Sequence, residues 1–171
     1  NICVKSINSK KSINWIKKLN PDLIICMGWS EIFSNEIISI PKKGVVGYHP
    51  SDLPYNKGKH PIIWSLALGL TKSASTFFLI NEKIDSGPII SKIIFRISKK
   101  DNATSIYNKL IKLSQKQLLE ILRKFEKNQI QPKIQKQNIA NYFRRRTFID
   151  GQINWSSNAT TIYNLVRSLT F

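Results

Sequence analysis

The chain has few acidic residues, few cysteines and no long apolar run, and each shortage excludes a class of protein. Asp and Glu number 10 among 171 residues, against 27 Lys and Arg, which gives a formal net charge of +17. The two cysteines, Cys3 and Cys26, are too few for a disulfide framework and lack a metal-binding spacing. The longest apolar runs, LIICMGW and PIIWSLALGL, are too short to cross a bilayer. These features predict a cytoplasmic protein without a metal site or a membrane segment.

The rest of the composition is typical of one globular domain. Hydrophobic residues make up 42% and charged residues 22% of the chain. The net charge favours nucleic acid as a partner, but lysine is frequent throughout the sequence, and scattered surface lysines account for most of it. The chain does not begin with Met, and its last residues, LVRSLTF, end within an apolar pattern. We therefore expect a fragment of a longer protein.

The hydrophobic periodicity predicts alternating helices and strands, and hence an α/β fold with a mostly parallel sheet between helices. The polar stretch KNQIQPKIQKQ has no core pattern. Strands 74–80 and 89–97 are expected to pair as a hairpin-like unit. The other predicted strands are 23–27 and 44–48, and the predicted helices are 10–19, 31–40, 62–68, 102–127 and 159–169.

Two titratable side chains follow predicted strands. His49 comes directly after GVVGY, and Asp85 lies in the turn KIDSGPI. Ligands of open sheets with parallel crossovers bind beyond the carboxyl ends of the strands, where we expect this pair to meet. An imidazole oriented by a carboxylate can accept the proton of an attacking amine. Taken singly, His49 also fits a structural turn histidine, and Asp85 fits an Asx turn.

The segments HPSDLPYNKGKHPIIWSLALG and STFFLINEKIDSGPI resemble the N10-formyltetrahydrofolate-dependent formyltransferases, such as methionyl-tRNA formyltransferases and sugar N-formyltransferases. The family pattern is Asn-x-His followed by Asp-x-Gly, and its separation is matched here, 85 − 49 = 36 residues. The tail FRRRTFIDGQINW is similar to the segment that follows the family's catalytic domain. The resemblance runs from about residue 20 to the end. It implies a Rossmann-like catalytic domain over 1–171, with 139–171 as its C-terminal extension and N-terminal strands missing.

The resemblance implies an enzyme that moves a formyl group from 10-formyltetrahydrofolate, its co-substrate, to a primary amine. The acceptor expected first is the amine of an anionic nucleotide-linked sugar, and methionyl-tRNA is the alternative. Two alternative hypotheses place the chain in other functional classes. It is then either a non-catalytic folate- or nucleotide-binding relative or a basic RNA-binding domain. A homodimer is a further expectation.

The resemblance also implies roles for individual residues. His49 becomes the proton shuttle and Asp85 its orienting partner, while the family's Asn falls on Gly47. The donor to the oxyanion must then come from elsewhere, with Ser51, Asn56, His60 or a backbone N–H as candidates. Lys57, Lys59 and Arg144–Arg146 are basic clusters suited to an anionic substrate. The folate is expected to contact loops 28–33 and 79–85, through Gly28, Trp29, Glu31, Ile32, Phe33, Leu79, Asn81 and Glu82.

Overall fold

The computed structural model describes residues 3–170, which form a mixed four-stranded sheet with helices on both faces. The strand order is β1-β2-β4-β5, and a separate pair joins β3 to β6. The strands are β1 Ile24–Cys26, β2 Val45–His49, β3 Lys57–Gly58, β4 Lys72–Leu79, β5 Ile89–Arg96 and β6 Tyr142–Phe143. The helices are α1 Lys10–Leu19, α2 Asn35–Ile38, α3 Pro61–Ala67, α4 Ala103–Glu126 and α5 Ala159–Ser168.

The α/β class is confirmed, but the expectation of a mostly parallel sheet is wrong for the described strands. β1 and β2 are parallel, whereas β4 runs antiparallel to both β2 and β5. His49 pairs with Thr76 and Val46 pairs with Leu79, so residues 50–71 leave and re-enter the sheet at the same edge. The short helix α3 therefore does not carry the chain across the sheet, and β4 has to run in the opposite direction.

Alternating side chains of β2 pack into two separate hydrophobic cores, one on each face of the sheet. Val45 packs against Ile13 and Ile16 of α1 and Ile37 of α2. Val46, on the opposite face, packs with Phe77 of β4 and with Ile121 and Phe125 of α4. Because Gly47 and His49 share the Val45 face, β2 presents them toward the α1 and α2 side of the sheet.

Local capping helps to explain why helices α1 and α4 were predictable. The Ser9 side chain accepts a hydrogen bond from the Ser12 N–H at the start of α1. Asn102 and Ser105 form a reciprocal capping box at the start of α4. None of the helices within residues 3–170 combines the length and the apolar character needed to span a membrane.

Asp101 joins the start of α4 to neighbouring elements. Asp101 is a buried residue. Its carboxylate accepts from Lys109 Nζ at 2.7 Å, from the Ser98 N–H at 2.7 Å and from Ser105 Oγ at 2.8 Å. Its carbonyl oxygen accepts from the Arg167 guanidinium of α5 at 3.0 Å. Burial alone would raise the pKa of this carboxyl, but the three donors outweigh it and lower the pKa to about 2.

Asp101→Asn is expected to lower the free energy of unfolding by about 2 kcal/mol near neutral pH, since charged hydrogen bonds are lost. The folded pKa lies below the ordinary value of 3.8, so the stabilisation is complete well above that value. The stabilisation by the ionised carboxylate is lost as the pH falls from above 3.8 through the folded pKa of about 2. Urea unfolding of both proteins at about pH 7 and about pH 3 measures the effect. The gap in unfolding free energy should narrow at the lower pH, and an equal gap at both would contradict this assignment.

Candidate active site

A cavity of about 930 Å³ opens beside the carboxyl end of β2. This volume is at the upper end of the range for small-molecule sites. Four parts of the chain provide most of its lining: the loop 26–33 after β1, the end of β2 with residues 58–62, the loop 80–85 after β4, and residues 142–145. Tyr107, Leu110, Ile111 and Ser114 of α4 complete the wall.

His49 lies in this cavity wall with one ring nitrogen committed to the backbone. Its side chain is only 7% exposed, and Nε2 lies 3.0 Å from the carbonyl oxygen of Asn56. A carbonyl oxygen can only accept, so Nε2 carries the hydrogen, and Nδ1 of the neutral ring keeps its lone pair. Nδ1 is 3.6 Å from Oδ2 of Asp85. This separation is long for a hydrogen bond but suits an ion pair once Nδ1 is protonated.

Asp85 reaches His49 by a route that the sequence reasoning did not foresee. β4 ends opposite the start of β2, away from His49, so the loop 80–88 must fold back along the sheet. Asp85 adopts a left-handed backbone with φ of 47°, and its Oδ2 accepts from the Gly58 N–H at 2.8 Å. The two residues therefore meet through a returning loop and not through a shared strand edge.

Gly87 allows this loop to close tightly. A Cβ atom at Gly87 would lie 1.7 Å from the carbonyl oxygen of Leu79, so no other residue fits without a backbone shift. The Leu79 N–H in turn donates to the Pro88 carbonyl oxygen at 2.8 Å. Glycine at position 87 is thus a requirement of the turn itself.

Most of the residues predicted to contact folate line the cavity, and two do not. Leu79 packs into the core beneath α4, and Glu82 accepts a hydrogen bond from Asn35 at 2.7 Å. The structure therefore directs these two side chains away from the cavity. The residues that do line it are Gly28, Trp29, Glu31, Ile32, Phe33 and Asn81.

Glu31 has a structural task in addition to its place in the cavity wall. Its carboxylate accepts from Ser6 Oγ, from the Ile7 N–H at 2.8 Å and from Asn8 Nδ2 at 3.0 Å. The hydrogen bond from Ser6 is the main reason that the pKa of Glu31 is lowered. Glu31 thereby ties the segment before α1 to the loop 26–33.

The expected donors near Gly47 are only partly available. Ser51 is fully buried, donates to the Tyr55 carbonyl oxygen at 3.0 Å and does not line the cavity. Asn56 also lies outside the lining, whereas His60 is part of it. Gly47 itself faces Ile80, since a Cβ added there would lie 2.9 Å from Ile80 Cγ1. The place of the family's Asn side chain is thus filled by apolar atoms.

The predicted basic residues divide into structural and cavity-facing groups. Lys57, expected to contact the substrate, is fully buried and does not line the cavity. Lys59 does line it, with Nζ 3.1 Å from the Ser30 carbonyl oxygen. The cation of Lys57 is directed inward because β3 pairs with β6 and turns that side chain beneath the loop.

The run Arg144–Arg146 packs against the indole ring of Trp64. The guanidinium carbons of Arg144 and Arg146 lie 5.3 and 4.7 Å from the centre of the Trp64 ring, and the Trp64 indole donates to the Arg144 carbonyl oxygen. Arg144 also binds Asp150 through both carboxylate oxygens and holds the pKa of that carboxyl well below its usual range. Arg145 lines the cavity, and within residues 3–170 its guanidinium has no ion-pair partner.

Sequence reasoning missed the backbone partners of the pair. The Asn56 carbonyl oxygen and the Gly58 N–H act through the main chain, so no side-chain motif signals them. It also missed Gln135, whose amide binds the Asp85 carbonyl oxygen at 3.0 Å. The one available signal was a glutamine-rich stretch without a core pattern.

Comparison with known proteins identifies close sequence relatives. The chain is 37% identical over 166 residues to the bifunctional polymyxin resistance protein ArnA of Wigglesworthia glossinidia brevipalpis, covering 97% of this chain and 25% of that protein. It is 37% identical over 160 residues to the methionyl-tRNA formyltransferase of Thermodesulfovibrio yellowstonii, covering 92% of this chain and 52% of that protein. The chain thus spans between a quarter and about half the length of these relatives.

A solved structure shares the fold. The N-formyltransferase from Helicobacter canadensis, in complex with folinic acid and dTDP-3-aminofucose, aligns with a TM-score of 0.77 at 24% identity. The alignment covers 86% of this chain and 54% of that protein. This likeness confirms the Rossmann-like formyltransferase fold.

The family model that describes formyl transferases matches residues 4–122, which include both His49 and Asp85. This match covers well over half of the chain. The protein belongs to the formyl transferase family.

Proposed function

We propose that this protein transfers a formyl group from 10-formyltetrahydrofolate to a primary amine. The observation that carries the proposal is the approach of His49 Nδ1 to Asp85 Oδ2 at 3.6 Å in the wall of a large cavity. Family membership and the relatives named as formyltransferases support the same reaction.

The cavity has the chemical character that a reduced folate requires. A pterin needs backbone donors and acceptors between apolar walls, and the loop 28–33 lines the cavity with the apolar side chains of Trp29 and Ile32 among its residues. Ile84 and Asn81 lie on the facing loop. When bound, the co-substrate supplies an electrophilic formyl carbon.

His49 then accepts the proton of the acceptor amine and later donates it to the leaving group. A neutral amine attacks the formyl carbon, and His49 Nδ1 accepts the proton that the nitrogen must lose. The resulting imidazolium is stabilised by Asp85, whose position is held by the Gly58 N–H. His49 returns the proton to the leaving nitrogen, so that the residue ends in its starting state.

The segment 139–171 is proposed as an extension of the same catalytic domain. Tyr142, Phe143, Arg144 and Arg145 line the cavity, and β6 pairs with β3 next to the site. Arg167 of α5 donates to the carbonyl oxygens of Ser98 and Asp101. These contacts argue against a separately folded tail.

An anionic nucleotide-linked amino sugar is the acceptor that we favour. Lys59 and Arg145 both line the cavity, and a guanidinium suits phosphate recognition. The structural neighbour described with dTDP-3-aminofucose supports this class. Methionyl-tRNA is the second candidate, favoured by the net charge of +17 and by the methionyl-tRNA formyltransferase relative.

An acceptor comparison tests the proposal. The protein is incubated with 10-formyltetrahydrofolate and either a dTDP-amino sugar or charged initiator methionyl-tRNA, and the formylated product is quantified. We expect product with the amino sugar. Product with the tRNA alone would reverse the choice of acceptor, and binding of folinic acid without turnover on either acceptor would favour a non-catalytic relative.

A further inference from the structure

The loop that carries Asp85 is held by side chains from a distant polar segment. Gln135 is buried, and its Nε2 donates to the Asp85 carbonyl oxygen at 3.0 Å and to the Gly87 carbonyl oxygen at 2.7 Å. Gln137 Nε2 donates to the intervening Ser86 carbonyl oxygen at 3.1 Å. Three consecutive carbonyl groups are therefore bound by two amides of one short segment.

Lys57 connects this loop to the same segment from below. Its ammonium group donates to Ser86 Oγ at 2.8 Å and to Gln137 Oε1 at 2.7 Å, and it lies 5.5 Å from the centre of the Tyr142 ring. No acidic side chain within residues 3–170 forms a salt bridge with it. A fully buried cation without a carboxylate is costly, so its hydrogen bonds must be well formed.

The strand that carries Lys57 also holds the Asp85 carboxylate. The next residue, Gly58, donates its N–H to Asp85 Oδ2 at 2.8 Å. The Gly58 backbone is left-handed, and a Cβ there would lie 2.3 Å from the Phe143 carbonyl oxygen, so β3 is seated closely on β6. Gln135 thus holds the main chain of Asp85, and Gly58, the neighbour of Lys57, holds its carboxylate.

We propose that Gln135, Gln137 and Lys57 form a loop clamp that positions Asp85 for the reaction. Asp85 has a φ of 47°, a conformation that is sparsely populated by residues other than glycine and must be imposed by its surroundings. The clamp binds the carbonyl oxygens of Asp85 and of the two residues that follow it, and it acts through Asp85 without touching substrate. This inference rests on the proposed formyl transfer.

Gln135→Met tests the clamp because it removes both donors while keeping a side chain of similar length. We expect kcat to fall roughly ten- to hundredfold, since small misplacements of a reacting group are costly. The KM for the acceptor and the affinity for folinic acid should change by less than about threefold, because Gln135 does not line the cavity. A crystal structure of the variant should show Asp85 displaced from His49.

The matched control is Gln129→Met, in the same polar stretch with an exposed side chain. It should leave kcat unchanged. If Gln135→Met does not fold, Gln137→Glu serves instead, because Gln137 is exposed and the new carboxylate still accepts from Lys57 while the donor to the Ser86 carbonyl oxygen is lost. That variant is expected to lower kcat several-fold, and Lys57→Arg should retain more activity than Lys57→Met.

The outcomes separate the clamp from the reaction. A folded wild-type protein that transfers no formyl group contradicts the proposed function. A Gln135→Met protein in which Asp85 keeps its wild-type position, or which has wild-type kcat, contradicts the clamp. Equal losses in kcat and in folinic acid affinity would indicate a general structural role and would also overturn it.

Discussion

Asp85→Asn is expected to lower the rate of formyl transfer by about a thousandfold, which is within the range for loss of acid–base function. Asn keeps the shape of the side chain and an oxygen that can accept from the Gly58 N–H, now 2.8 Å from Asp85 Oδ2. It cannot stabilise the positive charge that His49 acquires with the amine's proton. The loss should therefore appear in kcat, with the affinity for folinic acid retained within about threefold.

Asp52→Asn is the matched control for this variant. Asp52 pairs with Lys92 at 2.7 Å and does not line the cavity. Rates of product formation and folinic acid binding are measured for both variants. If Asp85→Asn retains wild-type kcat, the carboxylate has no part in the reaction.

The second large effect is a gain in the rate of formyl transfer, and it is expected from a change at Gly47. The family resemblance has Asn at this position, and one oxyanion donor is typically worth about a hundredfold or more in rate. Gly47→Asn alone should not provide it, because a Cβ there would lie 2.9 Å from Ile80 Cγ1 and 3.0 Å from Phe78 Cζ. Removing most of the Ile80 side chain relieves two of the three closest contacts and leaves space into which the Phe78 ring can shift.

The double variant Gly47→Asn, Ile80→Ala is therefore expected to transfer formyl groups about a hundredfold faster than Ile80→Ala alone. The Ile80→Ala protein controls for the loss of packing, and thermal unfolding of each variant checks that it folds. A folded double variant that is no faster than its control would show that an amide at this position does not reach the oxyanion.

Elements with strong local signals were predictable from the sequence. The helix expected at 10–19 is α1, and the helix expected at 102–127 is α4, because each has a clear apolar face and a side-chain cap. The helix expected at 31–40 is reduced to α2, Asn35–Ile38. Its first turn is lost because Glu31 and the Ser34 N–H are bound by residues 6–8.

Long-range features of the site were much less predictable. His49 and Asp85 were identified from their types and spacing, but the direction of β4 was wrong, and so was the route by which Asp85 reaches His49. Lys57 was expected to contact an anionic substrate, whereas the pairing of β3 with β6 buries it completely. Gln135 lies in a stretch without periodicity, so its contact with Asp85 depends on tertiary folding alone.

A crystal structure of the protein with folinic acid and an amine acceptor would decide whether His49 is placed to take the proton of the acceptor. We expect the acceptor nitrogen to lie within hydrogen-bonding distance, about 3 Å, of His49 Nδ1, with the folate between loops 28–33 and 80–85. Folate bound elsewhere, or an acceptor nitrogen that neither His49 nor Asp85 can reach directly or through one water, would contradict it.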